Sequence, residues 1–95
     1  MESGPRVELF VKVKNAQGLH TRPATTIVRL LQQRKSQVTF TLGGETINAR
    51  SILGILMLAA AQNSQIFVVV EGADADETAA LIEEAFLNGF GEELT

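Results

Sequence analysis

Hydrophobic and polar positions change their period several times along this chain. Val7, Leu9, Val11 and Val13 alternate with Glu8, Phe10 and Lys12, a period of two that predicts a strand with one buried face. After Asn15-Ala16-Gln17-Gly18 the period lengthens. Ala24, Ile27, Val28 and Leu31 share one face of a helix expected from Thr21 to about Gln33. Arg34 and Lys35 come next, where cations favour a helix C-terminus. Val38, Phe40 and Leu42 alternate with Thr39 and Thr41, predicting a second strand. Gly43-Gly44 suits a tight primed turn, and Glu45 to Asn48 is the returning strand.

Ser51 then precedes Ile-Leu-Gly-Ile-Leu-Met-Leu-Ala. Serine is a favoured N-cap, so a short apolar helix begins there, and Gln62-Asn63-Ser64 breaks it. Gln65 to Glu71 contains Ile-Phe-Val-Val-Val, a fourth and central strand ended by Gly72. Asp74 and Glu77 resemble a capping box. Ala79, Ile82, Ala85 and Phe86 make one face of a last helix, closing near Gly89. The order β-α-β-β-α-β-α predicts an α+β sandwich: a mostly antiparallel sheet with helices on one face.

Composition narrows the class. A chain of 95 residues, 45% hydrophobic, fits one domain with a modest core. Met1 to Pro5 read as a loose leader. The absence of cysteine removes disulfides and thiolate chemistry and suits a reducing cytosol. The longest apolar run, Ile55 to Ala61, is far too short to cross a bilayer, and no signal peptide is recognisable. Charge is unevenly placed. Residues 1–50 carry all eight Lys and Arg against three acids, a net +5, and residues 51–95 carry eight acids alone, a net −8. A net charge of −3 without Trp or Tyr argues against nucleic-acid binding. The basic half instead suits an acidic protein partner.

The sole histidine, His20, lies in G-L-H-T-R-P-A, residues 18–24. Pro23 fits only the first turn of a helix, which puts His20 at the N-cap or beside it. Histidine is a poor cap on local grounds, which raises the question of chemistry against the alternative of a surface histidine in an ordinary loop. The positive end of the helix favours a neutral ring with a nitrogen free to attack. The N–H groups of Thr21, Arg22 and Ala24 can receive an anion. Arg22 adds a planar cation suited to phosphate oxygens, and Gly18 permits the bend that exposes the ring. These features suit a histidine that accepts a phosphoryl group and holds it briefly. A metal site is not indicated, since no second His or Cys accompanies His20.

Two stretches, G-L-H-T-R-P-A and N-A-R-S-I-L-G at residues 48–54, together with the element order over residues 7–90, resemble the HPr family. These are the histidine phosphocarriers of the bacterial phosphoenolpyruvate-dependent phosphotransferase system. The resemblance implies an open-faced β-sandwich with sheet order 1-4-2-3. It implies that His20 takes a phosphoryl group on Nδ1 from phosphorylated enzyme I and passes it to a histidine of an enzyme IIA. The protein is then a carrier changed in each half-reaction, without a cofactor, and not an enzyme. Arg22 matches the family's active-site arginine, and the open N–H of Thr21 makes that residue a further phosphate-binding candidate. Ser51 matches its regulatory serine, the target of an HPr kinase/phosphorylase, although Arg50 stands where many relatives carry lysine.

In the second helix, Ile55 and Leu58 are expected to face the sheet. Ile52, Leu53 and Leu56 are expected to form an exposed docking patch, and Arg29 a basic rim beside it. The stretches F-L-N-G-F-G-E-E and I-L-G-I-L-M-L-A are similar to the nitrogen-related branch of the family, which serves regulation; sugar uptake remains the other role. The implied protein is cytoplasmic and monomeric, with no nucleic-acid or membrane partner. Two other readings compete. One is a docking module of the same fold whose histidine is never phosphorylated. The other is a small RNA-binding or metal-carrying domain, disfavoured by the missing Cys pair and the scarcity of aromatics.

Overall fold

The computed structural model describes residues 4–92; Met1 to Ser3, most of the expected leader, lie outside them. The period-two segments become β1 (Arg6–Lys12), β2 (Gln37–Leu42), β3 (Glu45–Asn48) and β4 (Gln65–Glu71). The helices are α1 (Thr21–Gln32), α2 (Ile52–Leu58) and α3 (Ala75–Leu87), followed by a 3₁₀ turn at Gly89–Gly91. The strands form one antiparallel sheet in the order β1-β4-β2-β3, as the resemblance implies.

Alternation decides which face is buried. Val11, Val38, Phe40, Ile66, Val68 and Val70 turn inward and are almost wholly shielded, meeting Ala24, Ile27 and Leu31 of α1, Ile55 and Leu58 of α2, and Ile82 and Phe86 of α3 in one core. Burying such side chains contributes on the order of 1.5–3 kcal/mol each. Among the described residues, no helix covers the opposite face. Phe10 and Phe67 pair across β1 and β4 there, with ring centroids 5.1 Å apart. The hairpin turn has positive φ at both Gly43 (58°) and Gly44 (88°), the primed geometry expected of Gly-Gly.

Three local expectations are corrected. First, α2 stops at Leu58, before Gln62, because Ala59 enters the left-handed region at φ 53° and its N–H closes on the Leu56 carbonyl. Second, Arg34 and Lys35 lie beyond the last turn of α1, whose basic residue is Arg29. Arg34 Nε still donates to the Gln33 carbonyl at 3.1 Å. Third, Asp74 is the N-cap of α3 by position, yet its carboxylate makes no cap bond. It reaches across to the α1–β2 connection and accepts from Lys35 N, Ser36 N and the Ser36 hydroxyl at 2.9, 3.0 and 2.5 Å.

The same connection is held from its other side by Arg50. Its guanidinium donates to the carbonyls of Leu31, Arg34 and Ser36 at 2.7–2.8 Å. Carbonyls at a helix C-terminus lack intrahelical donors, and a planar fork can serve several of them together. Arg50 is therefore a structural cap for α1.

Candidate functional site

The site lies where the β1–α1 loop meets the C-terminal turn. Asn15 begins a reversal in which Gly18 N–H donates to the Asn15 carbonyl at 2.9 Å. Gly18 has φ +67°, and a Cβ there would sit 2.2 Å from the Ala60 carbonyl oxygen. That same oxygen accepts from Leu19 N–H at 2.9 Å. Only glycine combines this backbone angle with this approach. His20 follows as the N-cap of α1 in extended conformation, with no side-chain cap bond. The helix start therefore does not consume its ring, which is 34% exposed.

The helix end is formed as expected, with one change. Ala24 N–H donates to the His20 carbonyl at 3.1 Å, so it is withdrawn from the anion-receiving set. Thr21 and Arg22, both exposed at the first two helical positions, remain, since amides there precede the first intrahelical acceptor. The Arg22 side chain is 78% exposed, and its charge can reach an anion arriving from solvent. Thr25 and Thr26 hydroxyls return to the Thr21 and Arg22 carbonyls at 2.8 and 3.1 Å.

Glu92, which sequence reasoning did not single out, faces the histidine. Its carboxylate oxygens lie 3.1 and 3.3 Å from His20 Nε2. Arg22 is 3.8 Å away. Asn15 Nδ2 donates to Glu92 Oε1 at 2.6 Å and to the Gly89 carbonyl at 2.9 Å. Glu92 stands 72 residues from His20 in sequence, and no periodicity or motif links them. The one available signal was the G-F-G turn just before it, which marks a chain reversal.

The residues expected in the docking patch divide. Ile55 and Leu58 are buried, as expected. Ile52 and Leu53 are exposed, Leu53 at 67%, but Leu56 is only half-exposed and packs against the core. Met57, at 72%, takes its place on the surface. Met57 follows Leu53 by four positions and shares its outer side of the helix, whereas Leu56 is partly covered by its packing against the core. Arg29 is exposed and two turns beyond Arg22 on α1, which packs beside α2. Ser51 is the N-cap of α2, and its hydroxyl accepts from Gly54 N–H at 3.0 Å. No group of three His, Cys, Asp or Glu among the described residues could hold a metal ion, and no helix among them is long and apolar enough to cross a membrane.

Comparison with known proteins places this architecture in a family. Residues 7–88 match the family described as "PTS HPr component phosphorylation site". The phosphocarrier protein HPr of Chlamydia pneumoniae is 49% identical over 80 residues, covering 84% of this chain and 74% of that protein. That of Treponema pallidum is 37% identical, covering 87% and 94%. Among solved structures, HPr-C-His from Thermoanaerobacter tengcongensis superposes with a TM-score of 0.88 at 33% identity, over 93% of this chain and 99% of that one. HPr from Bacillus anthracis gives 0.82 at 31% identity, over 87% and 99%. The chain belongs to the HPr family, the phosphocarrier proteins of the phosphotransferase system.

Proposed function

We propose that His20 is the phosphorylated residue of this carrier, taking a phosphoryl group from phosphorylated enzyme I and donating it to a histidine of an enzyme IIA. The observation that carries this reading is the state of the ring. It sits at a helix N-cap without capping it, partly exposed, with Nε2 engaged by Glu92. Nδ1 is then the nitrogen with a lone pair to offer. In the first half-reaction that lone pair forms a bond to phosphorus while the donor's P–N bond breaks and its electron pair returns to the donor ring. The second half-reaction repeats the exchange with His20 as donor.

The transferring group is metaphosphate-like, with charge on its equatorial oxygens. The Thr21 and Arg22 amides and the Arg22 guanidinium can bear that charge. A carrier must release what it binds, so few and exposed donors suit it better than a closed pocket. Ile52 and Leu53, with Met57 beside them, supply apolar contact for the partner proteins, and Arg29 a basic rim. The flow serves sugar uptake or regulatory signalling, and the chain works in the cytoplasm without a cofactor. At Ser51, phosphorylation by a kinase would place an anion beside Ile52 and Leu53 and regulate docking through charge.

The test is incubation with phosphoenolpyruvate, magnesium and a cognate, active enzyme I, followed by assay for acid-labile phosphate. Label is expected on the parent chain and on Ser51→Ala, and none on His20→Ala. An unlabelled parent chain overturns the proposal in favour of a docking module that is never phosphorylated.

A further inference from the structure

We propose that Glu92 is a positioning residue that keeps the His20 ring proton on Nε2, so that phosphoryl transfer at Nδ1 needs no proton movement. This deepens the reading of His20 as the phosphoryl acceptor and rests on it for its functional half.

The construction of the contact points to this role. Glu92 is held on a left-handed turn: Gly89, Phe90 and Gly91 have φ of 63°, 58° and 80°. A bulky non-glycine residue in that region is strained. Here the surroundings over-determine it. The Phe90 ring packs edge-on against Phe86, 4.8 Å between centroids, and Phe86 in turn against Phe40 at 5.8 Å. Asn15, 1% exposed, spends both of its amide hydrogens on this turn, one on the Gly89 carbonyl and one on Glu92 Oε1. The Glu92 side chain is only 13% exposed. A carboxylate so enclosed requires donors, and among the described residues Asn15 and His20 stand at hydrogen-bond distance from it.

The chemistry follows from what each group can do. An ionised carboxylate only accepts, so its contact with Nε2 places the ring hydrogen there, and the tautomer of an imidazole is set by the bond its other nitrogen makes. With the hydrogen on Nε2, the lone pair of Nδ1 attacks phosphorus and nothing is deprotonated. The product ring, bearing phosphorus on Nδ1 and hydrogen on Nε2, is cationic and lies against the Glu92 anion. When the P–N bond breaks in the next transfer, its electron pair returns to Nδ1 and the ring is neutral again. The Nε2 hydrogen stays in place through the cycle.

Asn15 makes the test sharp. In Glu92→Gln, the Asn15 amide still donates to the side-chain oxygen and so turns the new NH₂ toward His20 Nε2. A donor there requires an unprotonated Nε2 and drives the hydrogen onto Nδ1, blocking the nucleophile. Glu92→Ala only removes the acceptor. The conservative change is therefore the more damaging one, an order opposite to that expected of a packing role.

The experiment reads ¹⁵N chemical shifts of the His20 ring in the unphosphorylated protein, and separately the rate of phosphorylation by enzyme I. Expected are an Nε2–H ring in the parent chain and a shift toward Nδ1–H in Glu92→Gln. The rate in Glu92→Gln should fall by at least about tenfold and lie below that of Glu92→Ala, with backbone amide spectra showing all three folded. The inference is overturned if Glu92→Gln keeps the parent tautomer, if it transfers faster than Glu92→Ala, or if the tautomer inverts without loss of rate. A parent chain that shows the Nε2–H ring but accepts no phosphate refutes the carrier reading, and with it the functional half of the inference, while the tautomer assignment stands.

Discussion

His20 stands where a serine or aspartate would cap α1 better, and the structure leaves its ring uncommitted to the helix. That choice was legible from Pro23, whose placement in the first helical turn fixes the N-cap within a residue. Ser51 is the contrasting case, a residue that does cap its helix. Ser51→Ala removes the acceptor for Gly54 N–H and should cost about 1 kcal/mol, read as a lower urea midpoint with unchanged labelling at His20. An unchanged midpoint would mean that solvent replaces the cap at no cost. Glu92 was not legible at this scale. A single glutamate in an acidic segment has no local mark beyond the G-F-G reversal before it, and that reversal does not point to His20.

Elements here are joined by side chains that reach backbone groups far away in sequence. Arg50 is one such link between α1, the following loop and α2. Arg50→Ala would take the guanidinium from three carbonyls, of which Leu31 keeps the Arg34 N–H at 3.0 Å, and should destabilise the fold by about 1–3 kcal/mol; Arg50→Lys should recover only part, since one ammonium cannot span the fork. Urea unfolding of the two variants checks the order. Asp74 is another link. The Ser36 hydroxyl foremost, then the Lys35 amide, lower its pKa from 3.8 to about 2. A carboxyl with a depressed folded pKa contributes stability above its unfolded value and loses it as pH falls. The contribution of Asp74 should therefore fade from about pH 3.8 downward through pH 2. In Asp74→Asn, the unfolding midpoint should be lower at neutral pH and flatter across that acid window. A parallel acid limb in the variant would remove Asp74 from the account. The D-x-x-E pattern identified where α3 starts, but the use of Asp74 depended on which loop packed against it.

Across the whole molecule, an apolar patch lies beside basic residues, the arrangement that the proposed docking needs. The exposed ends of Ile52, Leu53 and Met57 lie on α2 next to α1, which carries Arg22 and Arg29. Apolar patches ringed by charge mark docking faces. Leu53, 67% exposed, makes little of the core. Leu53→Glu should slow transfer to and from partner proteins by about tenfold or more, the scale of one interface residue worth over 1 kcal/mol, while thermal unfolding stays near the parent value. Loss of the folded state in that variant would show that Leu53 packs inward and that the patch is misassigned. The prediction concerns association, so saturating the partner should restore part of the rate.

Residue order alone determined the four strands, the three helices, the antiparallel hairpin, the N-cap positions of His20 and Ser51, and the setting of the lone histidine at a helix start. Each depends on contacts within a few positions: the period of burial, the φ demands of Gly and Pro, the donors left open at a helix end. The tertiary structure decided what those elements do to one another. It turned Leu56 inward and Met57 outward, carried Asp74 away from its own helix, and returned Glu92 to His20 through a strained turn clamped by Asn15. Such contacts form only when the sheet, its helices and the aromatic stack of Phe40, Phe86 and Phe90 are packed together, because packing sets distances between residues that the chain itself holds far apart.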